Sequence, residues 1–229
     1  MERDIYAIVM AAGRGTRFGG ELPKQFVDLA GMPVMVHAIN TLRHWNPDVK
    51  IVVALNPDDA EIWSSITDRY DLGDIAVTSG GATRWESVRN ALATLKPGSN
   101  DVVMVHDGAR PLLTCDMLDR LMVGLTGHDG AIPVVALTDS IRHITPGGSE
   151  AVDRSEFCAV QTPQAFPALK LQKAYQNPYQ ESFTDDASVM AAAGCRDMAL
   201  VAGDVRNIKI TNPCDVAIAN IYLKSGSDE

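Results

Sequence analysis

The chain has 229 residues, 46% hydrophobic and 21% charged, the composition of an ordinary folded protein long enough to bury a sizeable core. A formal net charge of −9 offers no basic face to nucleic acid or an anionic membrane, and no apolar run approaches a membrane span. MERDIYAI lacks the basic and apolar regions of a signal peptide, and Cys115, Cys158, Cys195 and Cys214 lack zinc or Cys-x-x-Cys spacing, as expected of reduced thiols in a cytoplasmic protein.

The first predicted element is Ile5–Met10, an apolar run of the length and content of a buried parallel strand. It opens into Ala11, Ala12, Gly13, Gly15, Gly19 and Gly20, with Arg14, Arg17 and Lys24 among or just after them. Small residues let a ligand lie against the main chain, so that amide N–H groups point at phosphate oxygens while fixed cations neutralise charge. The stretch reads as a nucleotide-phosphate site. Gly13-x-Gly15-x-x-Phe18 places Phe where a dinucleotide fold wants a third small residue, and Pro23-Lys24-Gln25 is not the Gly-Lys-Ser/Thr of a Walker A helix.

Further strands are expected at Val49–Leu55, Ile75–Thr78, Val102–His106 and Ala131–Leu137, alternating with helices over Val34–Trp45, Asp58–Tyr70, Thr83–Leu95 and Thr114–Leu125. This rhythm predicts a doubly wound, Rossmann-like, mostly parallel α/β sheet in a single domain over residues 1–229, with ligands beyond the carboxyl ends of the strands. After the third strand, Gly80 and Gly81 permit close backbone approach to a ligand, though a turn with a helix cap explains the stretch equally well. After the fourth, Asp107 is placed to hold Mg²⁺ against phosphates, the alternative being a local ion pair with Arg110. Pro146-Gly147-Gly148 separates Ser140–Thr145 from Ala151–Arg154, a hairpin that breaks the rhythm at about 136–158 and has too little core of its own. It should pack on something else, such as a second subunit. Thr184 is expected to cap a helix whose Asp185 and Asp186 compensate its dipole, and Lys209 to project from a strand end beside Ile208 and Ile210.

AAGRGTRFG followed by PKQF resembles the nucleotide-binding signature of the sugar-phosphate nucleotidyltransferases. In its Ala-Ala-Gly and Pro-Lys-Gln forms it is most similar to the 2-C-methyl-D-erythritol 4-phosphate cytidylyltransferase family of the non-mevalonate isoprenoid pathway. The resemblance covers nearly the whole chain in at least six ordered motifs. It implies cytidylyl transfer from CTP to methylerythritol phosphate with release of pyrophosphate, Mg²⁺ or another divalent cation as cofactor, and a homodimer with no nucleic-acid or membrane partner. By matched position, Ala11, Ala12, Gly13 and Gly15 would face the nucleotide, and Gly80, Gly81 and Ser87 would recognise cytosine. Ala82 departs from a position that is often acidic, leaving only main chain there.

The resemblance further implies that Arg17 and Lys24 stabilise the charge that grows during transfer, and that Asp107, in His-Asp-Gly-Ala-Arg-Pro with Arg110, holds the metal at the substrate. Val152-Asp153-Arg154 matches an arm motif, so Arg154 would reach the partner subunit's acceptor phosphate; Ser140 keeps the hydroxyl of a position that is often Thr. Thr162, in Gln-Thr-Pro-Gln-x-Phe, would donate to a phosphate. Lys209, in Asn-Ile-Lys-x-Thr, would hold the acceptor phosphate. His106 reads as structural, because a phosphate nucleophile is already ionised. The nearest alternative is ribitol 5-phosphate cytidylyltransferase; from another class, a non-catalytic nucleotide-binding module, against which Arg17, Lys24, Asp107 and Lys209 together argue.

Overall fold

The uninterrupted apolar run at the N-terminus becomes β1 (Ile5–Ala11), buried on both faces in the middle of the sheet. The computed structural model describes residues 3–15, 18–19 and 22–225. A short antiparallel pair, β2 (Asp28–Leu29) and β3 (Met32–Pro33), leads into α1 (Val34–Trp45). Then follow β4 (Lys50–Leu55), α2 (Ala60–Arg69), β5 (Ala76–Ser79), α3 (Arg84–Thr94), β6 (Val102–Asp107), α4 (Cys115–Gly124) and β7 (Gly130–Ala136). The later chain forms the hairpin β8 (Arg142–Thr145) and β9 (Gly148–Ala151), then β10 (Cys158–Val160), β11 (Gln164–Pro167), α5 (Ala168–Ala174), α6 (Asp186–Ala192), β12 (Met198–Ala202) and α7 (Pro213–Ser225).

The main sheet runs β10-β7-β11-β6-β1-β4-β5, with β12 parallel to β7 from residue 130 to 134. Side chains alternate between two cores, as strand geometry requires. Ala7, Val9 and Ala11 of β1 face one cluster with α1, α2 and α4, while Tyr6 and Ile8 face another with α3, α5 and α6. Burying both faces of β1, β4 and β6 is what makes their sequences continuous apolar runs. Because β4 and β6 flank β1 on opposite sides, the chain order reverses there, and the strand ends open a crevice. Register puts Met10 opposite Asp107, Ala11 opposite Leu55, and Leu55 opposite Ser79. Three loops therefore leave from one edge.

Several boundaries differ from expectation. β10, β11 and β12 form where the sequence predicts no strand, and β10 and β11 run antiparallel to their neighbours, so the sheet is mixed. The hairpin turns on Pro146 and Gly147 alone, which draws Gly148 into the ladder opposite Thr145. Arg154 accordingly lies beyond β9, in a single 3₁₀ turn whose preceding Asp153 carboxylate accepts from the Ser155 N–H. The segment around Lys209 is not a strand; it is held by the Ile210 N–H donating to Ala109 O and by the buried Asn207 side chain donating to Thr162 O.

Candidate functional site

One wall of a cavity of about 520 Å³ at this edge is the glycine loop. Gln25 lies almost fully buried in a 3₁₀ turn, Lys24–Phe26, and its Nε2 donates to Ala11 O at 2.6 Å and to Gly13 O at 3.3 Å. That staple ties the Lys24–Phe26 turn to the end of β1. Gly15 has φ +58°, and a Cβ there would stand 3.2 Å from Lys24 Cδ. The Lys24 stem thus lies along the Gly15 backbone, with Lys24 on the cavity wall. Only glycine meets both requirements without strain.

The opposite wall is the loop from β5 into α3. A Cβ at Gly80 would sit 2.2 Å from the Ala12 Cβ, so the two loops touch only because residue 80 has no side chain. The Gly80 N–H donates to Leu55 O, and the Gly81 N–H donates to Ser87 Oγ at 2.9 Å. Thr83 and Glu86 form a capping box on α3, with the Ala82 N–H also bonded to Glu86 Oε2. The Ser87 hydroxyl donates to Thr83 O at 2.9 Å. With its proton and one lone pair used inside the loop, Ser87 keeps one acceptor position.

Asp107, at the end of β6, forms the floor. Lys209 Nζ lies 2.8 Å from its Oδ2, with Arg84 Nε and Arg110 Nε each 3.6 Å from its carboxylate oxygens. Burial pushes the Asp107 carboxyl up, but Arg84, Lys209 and Arg110 outweigh it and hold the group well below the ordinary carboxylate range. Arg84 is in turn gripped by Asp186, through Nη1 to Oδ1 at 3.0 Å and Nη2 to Oδ2 at 2.7 Å. Behind Asp107, its own N–H donates to Thr162 Oγ1 at 3.0 Å. His106 is fully buried, with Nε2 3.0 Å from Arg110 O and Nδ1 3.3 Å from Thr162 Oγ1. Burial lowers its pKa to about 4, so the ring is neutral near pH 7 and both nitrogens are engaged.

Among the residues singled out from the sequence, Ala12, Gly13, Lys24, Gly81, Ser87, Asp107 and Lys209 line this one cavity, and Gly15 and Gly80 support its walls. Ala11 is buried in β1, where its carbonyl receives Gln25. Arg110 and Thr162 stand behind Asp107: Arg110 Nη1 donates to Asn207 O, and the Thr162 hydroxyl is committed to the β6 end. Ser140 and Arg154 are exposed on the hairpin segment, where Arg154 donates to Thr138 O. Arg17 lies outside the described residues.

The sequence reading passed over Arg84, Gln25 and Asn56, which also line the cavity. Gln25 is visible in Pro-Lys-Gln, but its function as a staple depends on carbonyls 12 and 14 positions earlier in the chain. At the start of α6 the cap is Asp185, not Thr184: its carboxylate accepts from the Ser188 N–H. Asp186 does more than compensate the dipole, since it is fully buried against Arg84 and Tyr175.

Among the described residues no three His, Cys, Asp or Glu side chains gather as an all-protein metal centre. Asp107 is the single carboxylate lining the cavity among them. One carboxylate facing room for phosphates is a donor set that suits a Mg²⁺ completing its shell with phosphate oxygens and water.

A family model described as IspD: 2-C-methyl-D-erythritol 4-phosphate cytidylyltransferase matches residues 5–225. A curated protein of that name from Porphyromonas gingivalis is 41% identical over 228 residues, spanning 98% of this chain and 100% of the relative. Another from Phocaeicola vulgatus is 37% identical, spanning 95% and 99% respectively. Among solved structures, 4-diphosphocytidyl-2C-methyl-D-erythritol synthase from Anaerococcus prevotii superposes with a TM-score of 0.81 at 26% identity, covering 97% of this chain and 99% of that one.

Proposed function

The chain belongs to the 2-C-methyl-D-erythritol 4-phosphate cytidylyltransferase family, and from that premise and the cavity's geometry we propose what it does. It joins CTP and 2-C-methyl-D-erythritol 4-phosphate into 4-diphosphocytidyl-2-C-methyl-D-erythritol and releases pyrophosphate. The observation that carries this reading is the pairing of Asp107 with Lys209 at the mouth of β6, facing Lys24 and the glycine loop across one cavity. Binding a nucleotide needs only one cationic wall; moving its α-phosphorus calls for fixed cations on both sides of it.

The acceptor phosphate attacks the α-phosphorus in line, and negative charge grows on the α-phosphate and on the departing pyrophosphate. Positioning and electrostatic stabilisation therefore do the work. Lys24, with Arg17 by matched position, stabilises the growing charge, while the amides of the glycine loop hold the triphosphate. Lys209 turns from Asp107 to the acceptor phosphate. No general base is required, because that phosphate is already ionised, and a neutral His106 with both nitrogens engaged accords with this. Ser87's remaining lone pair suits the exocyclic amine of cytosine and repels the carbonyl that uracil presents there. Asp107 holds Mg²⁺ or another divalent cation, which when bound offsets charge on the triphosphate. Arg110 and Thr162 act on substrate through Asp107, which they position.

The hairpin supports a homodimer. It forms a two-stranded sheet of its own, and Ile144 is 83% exposed and Phe157 49% exposed, apolar surface that a second subunit would cover. In that dimer Ser140 and Arg154 complete the partner subunit's acceptor site. A family match over residues 5–225 supports one nucleotidyltransferase domain with the hairpin as its arm. No described helix is long and apolar enough to cross a membrane, and four free cysteines accord with work in a reducing cytoplasm.

The test is pyrophosphate release with CTP, UTP, ATP or GTP, each offered methylerythritol 4-phosphate or ribitol 5-phosphate in the presence of Mg²⁺. Release confined to CTP with methylerythritol phosphate is expected. A preference for ribitol phosphate would overturn the acceptor, and tight CTP binding without release would overturn catalysis.

A further inference from the structure

The Asp107 carboxylate has a neighbour whose own attachments are unusual. Arg84 opens α3 and reaches two carboxylates, but it treats them differently. Both terminal nitrogens are given to Asp186, at 3.0 and 2.7 Å, in the two-pronged geometry that suits a guanidinium and a carboxylate. Only Nε faces Asp107, at 3.6 Å, too far for a hydrogen bond. Arg84 therefore lends Asp107 charge without occupying its lone pairs.

Asp186 is built to hold that grip. It is fully buried, and its Oδ1 also accepts the Tyr175 hydroxyl at 2.6 Å. Its backbone N–H and that of Ala187 both donate to Gln164 Oε1, and Gln164 Nε2 donates to Asp185 Oδ2 at 2.8 Å. Gln164 belongs to β11, paired directly with β6, so the start of α6 is tied to the strand that carries Asp107. An isolated helix cap needs no such bracing. A buried carboxylate braced by Tyr175, on a backbone tied to Gln164 and aimed at one cavity-lining arginine, sets where that arginine can go.

We propose that Asp186 is a positioning residue of this site. By taking both prongs of Arg84 it keeps the guanidinium from closing on Asp107, and so leaves Asp107 Oδ1, the oxygen that Lys209 does not hold, open to the divalent cation that accompanies a nucleoside triphosphate. This rests on the reading of Asp107 as the metal-holding group. Without the Asp186 charge, the nearest anion for Arg84 is Asp107. A charge-assisted hydrogen bond would form there and compete with the cation for the same oxygens. Counter-charges behind a ligand often decide whether it is available to metal.

The substitution Asp186→Asn tests this, because the amide keeps the shape and an acceptor for Tyr175 but cannot take both prongs. Mn²⁺ binding is followed by electron paramagnetic resonance with CTP present and no acceptor phosphate, beside a melting curve that reports folding. The Mn²⁺ midpoint should rise about tenfold or more, the scale expected when an outer-shell partner of a metal ligand is lost. Arg84→Lys should shift it in the same direction, since an ammonium keeps the charge but cannot be held by a fork. It carries the test if the first variant does not fold. Adding Arg84→Gln to Asp186→Asn removes the competing cation and should return the midpoint toward wild type, which a merely structural loss would not do. Folded Asp186→Asn and Arg84→Lys proteins with the wild-type midpoint would overturn the proposal, as would a double variant no better than Asp186→Asn. Absence of Mn²⁺ uptake by the wild-type protein with CTP would instead remove the metal assignment at Asp107 and this proposal with it.

Discussion

A cation near a reacting phosphorus is worth most when it cannot drift, and Lys24 has its stem laid along Gly15. Lys24→Ala should lower turnover on the order of 10²-fold while the melting temperature changes little, as measured by pyrophosphate release at saturating substrates. His106 makes a different prediction. Its pKa falls from an ordinary 6.5 to about 4 because burial disfavours the charged ring, so the unfolded chain takes up the proton first. Its contribution is fully present above pH 6.5 and is lost as pH falls toward 4, a drop of up to about 3 kcal/mol by linkage. Urea unfolding across that range should show the drop, and His106→Gln, which takes up no proton, should flatten it. At this scale the sequence carried Lys24, Asp107 and Lys209 in local motifs. It did not carry the bond between Arg84 and Asp186, whose partners are 102 positions apart. Two adjacent acids at a helix start look the same whether they answer the dipole or a distant arginine.

The elements that build the cavity are those whose sequences are least ambiguous. β1, β4 and β6 are buried on both faces and read directly as apolar runs, and α1 to α4 lie within two residues of their expected bounds. β10 and β12 are harder to see because they are short and apolar throughout, so no alternation of apolar and polar residues marks either as a strand. The contact between the glycine loop and the β5–α3 loop is a property of two elements at once. Gly80→Ala would place a methyl 2.2 Å from the Ala12 Cβ, and one loop must yield. That crowding should cost about 1–3 kcal/mol of stability and raise the KM for CTP while kcat is retained, as a denaturation curve and steady-state kinetics would show. Unchanged CTP affinity would mean that the two loops do not form one nucleotide seat.

At the scale of the molecule, an acidic chain with a net charge of −9 confines its useful positive charge to one crevice, where Lys24, Arg84 and Lys209 line the wall. The exposed hairpin stands apart from that crevice within one protomer, and a site completed in trans makes a quantitative prediction. Lys24→Ala and Arg154→Ala homodimers should each be nearly inactive. Mixed by co-expression, random pairing gives half heterodimers, each with one intact site, so about a quarter of wild-type activity should return. No recovery, or a monomer by light scattering, would show that Arg154 does not act across subunits. Nothing in the hairpin's composition distinguishes a solvated arm from a clasped one, because what covers it belongs to another chain.

The ion pair between Lys209 and Asp107 has a consequence for which anions the crevice can retain. Each partner is tethered to the other's vicinity, so each meets a competitor at an effective concentration on the order of millimolar or above, without any solute being present. A bare anion that draws Lys209 away leaves Asp107 with one cation fewer. A ligand arriving as a complex of phosphate and metal gives both partners a new counterpart in the same event. With a metal bound at Asp107 the pair should therefore favour a ligand that brings phosphate and metal together over free orthophosphate, as competition by orthophosphate against CTP with and without Mg²⁺ would show.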